Sequence, residues 1–377
     1  MRILYTKTIY RDGEYATFPN LARLKSGQVI CAFRHAKDRQ AEFGACTHID
    51  PTARDVFITS PDGGLTFDPE LHTIVDDAEM SDQDPCVNVL SDGRIIVTYF
   101  RWALCPIGEG PARWGEASFR SFGRTLWDRY DCHTDGSSYA ISDDEGRTWR
   151  HFPPLRMTGM PESGGVRGNI VELPSGELLL PFYGSLRPGE LSRCGLLHSL
   201  DRGESWQYLS EMAYDPTGAK TFLEPGLYLT PGGKLVGLIR TQTDYRKPGV
   251  AFDDTYLNLH IAVSNDLGRS FGPVQEIPGV WGSNPFHALR LPDGKVLLTY
   301  GHRRPPFGIR ARICDPELEY IADGEEIILR DDAPNGDLGY PNSILLDDGT
   351  ALVAYYISGR DGVRTIDVTA LKQEEQA

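Results

Sequence analysis

The chain has 377 residues, of which 40 % are hydrophobic and 24 % are charged, and its formal net charge is −15. Nucleic acids and anionic membranes are bound by basic surfaces, so this charge argues against both as partners. No apolar run approaches the roughly 20 residues that span a bilayer. The N-terminal segment lacks the apolar core of a signal peptide, so a cytoplasmic protein is expected, with a cleaved or non-classical export route as the alternative. Seven scattered cysteines without a C-x-x-C pair predict free thiols.

Forty glycines and 26 prolines punctuate short segments along the chain, which is typical of a turn-rich β protein. One phrase recurs six times and consists of an apolar strand, a tight turn ending in glycine and a second apolar strand. In chain order these hairpins cover 21–34, 87–100, 170–183, 227–240, 288–301 and 344–356. Their turn glycines are Gly27, Gly93, Gly176, Gly233, Gly294 and Gly349. Residues 101–131 predict an insertion loop of the second unit, and no stretch shows convincing helical periodicity.

A second phrase, Ser-x-Asp-x-Gly-x-(Ser/Thr)-(Trp/Phe), lies between these hairpins at 60–67, 142–149, 199–206 and 264–271. Its aspartate can accept hydrogen bonds from turn amides while the aromatic side chain packs beneath, so we interpret Asp144 and its counterparts as turn fasteners and not as catalysts. Two hairpins per unit give about four strands. Six units predict an all-β, six-bladed β-propeller of four-stranded antiparallel blades, with two stacked β-domains as the alternative. We expect one domain over 1–370 and a tail over 371–377.

The innermost strands of a propeller line its axis, so equivalent positions of the six repeats converge there. Nine residues before the turn glycine lie Phe18, Asp84, Arg167, Glu224 and Tyr340, with Asn284 or Pro285 in the fifth unit. Polar side chains at positions that should be buried need a ligand or one another. A polar plug whose members satisfy one another is the structural alternative to a binding site.

Arginines mark the strand ends around the same axis. Arg34 and Arg240 lie seven residues after the turn glycine, with Tyr183 and Tyr356 in the same register, and Arg310 begins the third strand of the fifth unit. Guanidinium groups around a cavity suit a carboxylate, which the planar fork binds through both oxygens. Phosphate-loop, dinucleotide, nucleophile-elbow and zinc-protease motifs are missing from the sequence, and we predict neither a metal nor a cofactor.

Over essentially its whole length the chain resembles the sialidase superfamily, in which the Ser-x-Asp-x-Gly-x-Thr-Trp turns are called Asp boxes and the fold is a six-bladed propeller. The resemblance implies that Tyr340 is the nucleophile and that Glu224 takes its proton. It also implies that Asp50, which Asp55 follows at the family's spacing, is the acid that protonates the leaving oxygen. Asp38 and His48 lie near Asp50 in the sequence and are its alternatives.

The same resemblance implies that Arg34, Asp84, Arg240 and Arg310 contact the substrate. A neutral phenol suits a sialic acid, because the carboxylate on the anomeric carbon would repel an anionic nucleophile.

Two positions depart from the family pattern. The Phe-Arg-Ile-Pro phrase that supplies the first carboxylate-binding arginine reads "TFPNL" here, which puts Thr17 in its place. The glutamate that supports that arginine is replaced by Tyr356 or its neighbours, so both members of one ion pair are missing together. Arg167 is the candidate for a substitute third cation.

We therefore predict a sialidase-like exo-glycoside hydrolase that releases a terminal acidic sugar with retention. A uronic-acid glycoside lyase or another glycosidase on the same propeller is the first alternative. A non-catalytic glycan-binding propeller is the second.

Overall fold

Six antiparallel sheets follow one another along the chain and form the blades of a propeller. The structure is a computed structural model that describes residues 1–155, 164–186, 190–244, 255–282 and 284–374. After β1 (Arg2–Tyr10), blade 1 consists of β2 (Tyr15–Arg23), β3 (Val29–Ala36), β4 (Arg54–Ser60) and β5 (Asp68–Val75). Blade 2 consists of β6 (Met80–Val89), β7 (Ile95–Pro106), β8 (Gly123–Leu126), β9 (Tyr130–Ser142) and β10 (Arg150–Phe152).

The remaining blades each have four strands. Blade 3 contains β11 (Val171–Glu172), β12 (Leu178–Gly184), β13 (Arg193–Ser199) and β14 (Gln207–Ala213). Blade 4 contains β15 (Lys220–Leu229), β16 (Leu235–Thr243), β17 (Asn258–Ser264) and β18 (Gln275–Trp281). Blade 5 contains β19 (His287–Arg290), β20 (Val296–His302), β21 (Gly308–Cys314) and β22 (Glu325–Arg330). Blade 6 contains β23 (Gly339–Leu345), β24 (Ala351–Ser358) and β25 (Arg364–Lys372), and β1 completes it.

The first and last strands of the chain close the ring. β1 pairs antiparallel with β25 in a register that sets Arg2 opposite Lys372, so blade 6 is built from both ends of the chain. The predicted six-bladed propeller is confirmed, and the alternative of two stacked β-domains is wrong. β25 runs through Lys372, and residues 375–377 of the expected tail lie outside the described residues.

Both repeated turns have the geometry that their sequences predict. The six hairpin glycines have φ between +80° and +95°, a range that residues with a Cβ rarely adopt. In the Asp-box turn of blade 2, Asp144 accepts hydrogen bonds from the Thr148 hydroxyl at 2.7 Å, the Thr148 amide at 2.9 Å and the Ser142 hydroxyl at 2.8 Å. These bonds lower the pKa of Asp144 to about 2, with those from Thr148 contributing most. Asp144 is therefore a turn fastener.

The core lies between neighbouring blades, and asparagines join the blades at the axis. Apolar side chains of blades 1 and 2, among them Ile30, Phe57 and Val97, share one cluster. Asparagine side-chain oxygens on one blade accept backbone amides of the next, and the pairs are Asn342 with Leu21, Asn20 with Val87, and Asn88 with Ile170. These bonds fix the relative rotation of the innermost strands, which carry the site.

Blade 2 differs from the expected insertion loop over 101–131. β7 and β9 have 12 and 13 residues and pair as far as Pro106 opposite Tyr130, and β8 adds a short fifth strand. The helices α2 (Gly110–Trp114) and α3 (Glu116–Phe122) join them, and α1 (Gln40–Phe43) lies in the β3–β4 connection. Helices of four to seven residues are too short to produce a recognisable period in the sequence.

The cysteines are free, as predicted, and six of the seven are buried. Among the residues that the structure describes, no helix combines the length and apolar character needed to cross a membrane.

Candidate active site

Four innermost strands carry the same backbone irregularity at the same position. Phe18, Asp84, Glu224 and Tyr340 have φ of 58°, 61°, 44° and 52°, and each lies at a register shift in the pairing of its strand. The left-handed conformation costs a residue with a Cβ on the order of 1–2 kcal/mol, and strain of this kind concentrates at functional sites. A bulge also re-aims a side chain, and these four side chains line one cavity. The structure thus brings together four of the residues that share this register in the sequence.

The cavity has a volume of about 460 Å³, within the range of small-molecule sites. Besides the four axial residues, its lining includes the second-strand residues Phe100, Tyr183 and Arg240, together with His48 and Arg303. Aromatic rings, carboxyl groups and guanidinium groups thus face one space, and this combination suits a sugar that carries an acidic group.

Tyr340, Glu224 and Arg240 form a buried hydrogen-bonded triad at this cavity. The Tyr340 hydroxyl donates to Glu224 Oε1 at 2.7 Å, and Arg240 Nη1 donates to Glu224 Oε2 at 2.5 Å and to the Tyr340 oxygen at 3.2 Å. Burial and the Glu224 charge raise the pKa of Tyr340 well above its usual value. Burial also disfavours the Glu224 carboxylate, yet the Arg240 charge and the bonds from Tyr340 and Arg240 together hold its pKa below the usual value. The phenol is therefore neutral and the carboxylate beside it is ionised.

Asp84 is the second carboxyl group of the cavity, and its protonation differs from that of Glu224. Burial raises the pKa of Asp84 to about 7; the charges of Arg167, Arg34 and Arg240 oppose this increase, and that of Glu224 adds to it. Its Oδ1 atom is buried without a hydrogen-bond partner among the described residues. Near neutral pH this group exchanges a proton readily, whereas Glu224 stays charged.

Arg303 lines the cavity and was missed by the sequence reasoning. Its guanidinium donates to the Leu338 carbonyl at 3.0 Å and to the hydroxyls of Tyr256 and Tyr356 at 3.2 Å, and it lies 5.7 Å from the Tyr340 ring centre. The Tyr356 hydroxyl also donates to Asp337 at 3.1 Å, and this contact orients the phenol. Tyr356, a candidate for the position of the family's glutamate, thus supports an arginine from a different blade. Arg303 directly follows the last residue of β20, and this position next to a strand end is the sequence signal from which it could have been found.

Thr17 and Arg34 lie opposite each other on β2 and β3, below the cavity lining. Arg34 is fully buried; it donates to the Thr47 carbonyl at 3.4 Å and lies 5.2 Å from the Tyr15 ring centre. Its Nε and Nη1 atoms have no hydrogen-bond partner within the described part of the chain. Asp55 is the strand partner of Arg34, and burial raises the pKa of Asp55 well above its usual value. The structure therefore buries Arg34 beside Asp55 and outside the cavity lining.

Arg167 lies on the axis but outside the cavity lining. Its guanidinium donates to the carbonyls of Pro19 and Tyr340 at 3.2 and 3.4 Å and to the Cys86 sulfur at 3.1 Å. It lies 5.1 Å from the Tyr340 ring centre. These contacts tie blades 1, 2 and 6 together and place the guanidinium against the Tyr340 ring, so Arg167 helps to position Tyr340.

Arg310 is not brought to the cavity. Its guanidinium donates to the Arg330 carbonyl and, at 3.2 Å, to the Pro306 carbonyl. The backbone of blade 5 therefore occupies the planar fork that the resemblance assigned to a substrate carboxylate.

Asp50 is also absent from the cavity lining, whereas its sequence neighbour His48 is present. The Asp50 carboxylate accepts hydrogen bonds from Arg39 Nε at 2.9 Å and from the Thr52 hydroxyl at 2.6 Å, and it fixes the β3–β4 connection. The His48 ring stacks on Phe18 with a centroid distance of 5.2 Å. Burial lowers the pKa of His48 to about 4, so the imidazole is neutral at physiological pH.

Comparisons with known proteins agree with this architecture. The sequence profile of the BNR repeat-like domain matches residues 124–353. No curated protein matches the chain. The crystal structure of a protein of unknown function from Dyadobacter fermentans is 30 % identical, with a TM-score of 0.84 and 99 % of both chains covered. The NanB sialidase from Streptococcus pneumoniae is 14 % identical, with a TM-score of 0.65 over 97 % of this chain and 70 % of that one. A leech intramolecular trans-sialidase is 16 % identical, with a TM-score of 0.65 over 98 % and 70 %.

Proposed function

Because the chain belongs to the family of BNR repeat-like domains and has the propeller fold of sialidases, we propose that it is an exo-acting glycoside hydrolase. Its substrate is a glycan with a terminal acidic sugar of the sialic-acid kind, which it releases with retention of configuration. The observation that carries this proposal is the buried pair of the neutral Tyr340 phenol and the ionised Glu224 carboxylate, 2.7 Å apart at the cavity.

The first chemical step begins at Tyr340. The phenol oxygen attacks the anomeric carbon while its proton moves to Glu224 Oε1, so the new carbon–oxygen bond forms without a free phenolate. Arg240 holds Glu224 in place and also contacts the phenol oxygen, where it stabilises the negative charge that develops during attack. Arg303 and Arg240 are the cavity cations closest to Tyr340, and we assign them the sugar carboxylate.

The leaving oxygen needs a proton as its bond to the anomeric carbon breaks. We assign this proton to Asp84, because it lines the cavity and its pKa of about 7 keeps a large share of it protonated near neutral pH. In the second step the same group takes a proton from water, whose oxygen bonds to the anomeric carbon while the bond to Tyr340 breaks and Glu224 returns its proton to the phenol oxygen. Asp50 remains the alternative acid from the resemblance, and it would first have to leave Arg39 and Thr52.

One observation favours a second candidate, a lyase acting on uronic-acid glycosides. The neutral His48 imidazole lines the same cavity as Tyr340, and a neutral imidazole or phenol can exchange the proton next to a uronate carboxyl group. In that reaction one of the two groups takes the C5 proton, the bond between C4 and the leaving oxygen breaks as the other group protonates that oxygen, and the product sugar carries a C4–C5 double bond.

Product analysis separates the candidates. The protein is incubated with sialosides and uronic-acid glycosides, and the products are identified by mass spectrometry and NMR. Free sugar with retained configuration is expected, whereas an unsaturated sugar would replace the hydrolase with the lyase. Turnover of no acidic glycoside in the panel would overturn both enzyme assignments and leave a glycan-binding propeller.

Two tyrosine variants test the role of Tyr340. Tyr340→Phe is expected to lose at least about 10³-fold in kcat while the dissociation constant of the glycan changes only a few-fold. Tyr300→Phe is the matched control, because Tyr300 is equally buried but donates to Glu326 in blade 5, away from the cavity. Full turnover by Tyr340→Phe would overturn the nucleophile assignment.

A further inference from the structure

One wall of the cavity comes from the part of blade 2 that extends beyond the regular propeller. The corresponding second strands of the other blades have 7 to 9 residues, whereas β7 has 12 and continues past the cavity. The extension has its own small core, in which Leu104, Leu126 and Cys132 pack on Ile49 from the β3–β4 connection. It presents to the cavity the blade-2 wall, which we define as Phe100, Trp102, Arg124 and Thr134.

The aromatic and cationic groups of the blade-2 wall are held in a stack. With the Gln83 amide in the orientation that satisfies both of its ends, it accepts a hydrogen bond from Trp102 Nε1 at 3.1 Å and donates to the His48 carbonyl at 2.8 Å. The Phe100 ring meets the indole edge-on at a centroid distance of 5.9 Å. The Arg124 guanidinium lies 4.7 Å from the Trp102 ring centre. The guanidinium therefore lies over one face of the indole, and this stack presents an aromatic ring and a cation together to the cavity.

The position of the wall relates it to the leaving group. Gln83, which fixes Trp102, directly precedes Asp84 on β6, and Asp84 is the group that we assign to the leaving oxygen. Whatever that oxygen carries therefore lies on the Asp84 side of the cavity, next to the indole. Arg124 stands out there because the protein carries a net charge of −15, which disfavours anionic ligands unless a local cation attracts them.

We propose that the blade-2 wall is a subsite for the leaving-group sugar and that it selects a sugar with its own anionic group, a sulfate ester or a carboxylate, through Arg124. Trp102 packs against the sugar where its indole lines the cavity, and Arg124 pairs with the anion. The substrate is then a glycan with two acidic groups, one on the terminal sugar at Arg240 and Arg303 and one on its neighbour. This inference rests on the proposed function for which end of the glycan occupies the blade-2 wall, while its test measures only binding.

The test uses the Tyr340→Phe protein, so that no probe is consumed, and isothermal titration calorimetry. The probes are 3′-sialyllactose, its 6-sulfated form, α2,8-linked disialic acid, and a uronic-acid disaccharide with and without a sulfate ester. The sulfated or doubly carboxylated member of each comparison is expected to bind about three- to tenfold more tightly. Adding Arg124→Gln should weaken the probes with two anionic groups more than 3′-sialyllactose, so that the preference disappears.

Arg129→Gln is the matched control, because Arg129 lies in the same extension but pairs with Glu42 at 3.0 Å, outside the cavity lining. Trp102→Leu should weaken the probes with one anionic group and those with two alike. A preference that survives Arg124→Gln, or that no probe shows in the presence of Arg124, would overturn the subsite. If the preference is lost in Arg124→Gln but the wild type releases no sugar, the result supports the subsite and refutes the hydrolase.

Discussion

Replacing Asp84 by asparagine keeps the shape of the side chain and removes the proton that we assign to the leaving oxygen. With a sugar as leaving group, kcat/KM is expected to fall by roughly 10²–10⁴-fold, the usual contribution of general acid catalysis. A 4-nitrophenyl glycoside needs little protonation to leave, so its bond cleavage is expected to slow by less than about tenfold. Because the pKa of Asp84 is about 7, wild-type activity on the sugar substrate should decline as the pH rises through 7. This alkaline decline should be absent from the variant.

Stability gives a second, independent readout of the same group. Burial raises the pKa of Asp84 from 3.8 to about 7, so the folded protein binds this proton more tightly than the unfolded chain does. The resulting stabilisation is complete below about pH 4 and is lost as the pH rises through 7. At about 1.4 kcal/mol per pKa unit, Asp84→Asn should gain up to about 4 kcal/mol in unfolding free energy relative to wild type between pH 4 and pH 9. Urea titrations at the two pH values measure this difference.

Asp82→Asn is the matched control for both readouts. Asp82 lies on the same strand, burial likewise raises its pKa to about 7, and it faces Arg101 outside the cavity. This variant should shift stability in the same direction while keeping the alkaline decline of activity. Asp84 is not the acid if Asp84→Asn retains that decline, or if its kcat/KM falls equally on the sugar and nitrophenyl substrates. Asp50 then becomes the candidate to test.

Two further sets of variants distinguish residues that bind substrate from residues that only stabilise a turn. Arg303→Met should raise KM for an acidic glycan on the order of tenfold or more. Tyr356→Phe should raise KM by less, because it removes only one hydroxyl that orients Arg303. Equal KM values in steady-state assays of wild type and Arg303→Met would contradict the carboxylate assignment. Asp201→Ala removes the hydrogen bonds to Ser199 and Ser205 in an Asp-box turn, so calorimetry should show Tm lower by roughly 1–3 °C. Its kcat/KM should stay at the wild-type value, and a lower kcat/KM would mean that the turn contributes to activity as well as to stability.

The blades were predictable because each depends on local chemistry that the chain repeats. A hairpin needs a turn glycine and two apolar strands within about fourteen residues, and this requirement is visible in the sequence six times. The axial residues were predictable for a related reason. Asp84, Glu224 and Tyr340 lie at one distance from their turn glycines, and the structure repeats the same left-handed bulge there. A repeated local geometry therefore converts a sequence register into a position in space.

The blade-2 wall was not predictable in this way. Residues 101–131 read as a loop because their arginines, tryptophans and glycines do not alternate as in a half-buried strand. Their order comes from a contact distant in sequence, in which Leu104 and Cys132 pack on Ile49 of the preceding blade. Arg124 and Trp102 reach the cavity only because that packing extends β7 and β9.

The arginines show why the cations of the site were only partly predictable. Equivalent strand ends of all the blades surround the cavity of a propeller, so an arginine on any of several blades can reach that cavity. The resemblance implies that Thr17, and Tyr356 or a neighbour, stand where the family has an ion pair, but the sequence does not say which blade compensates. In the structure Arg303 from blade 5 bonds to the Tyr356 hydroxyl, whereas Arg310 is held by backbone carbonyls. Because Arg303 and Arg240 come from adjacent blades 5 and 4, the proposed function places the substrate carboxylate on that side of Tyr340 and the leaving group on the Asp84 side.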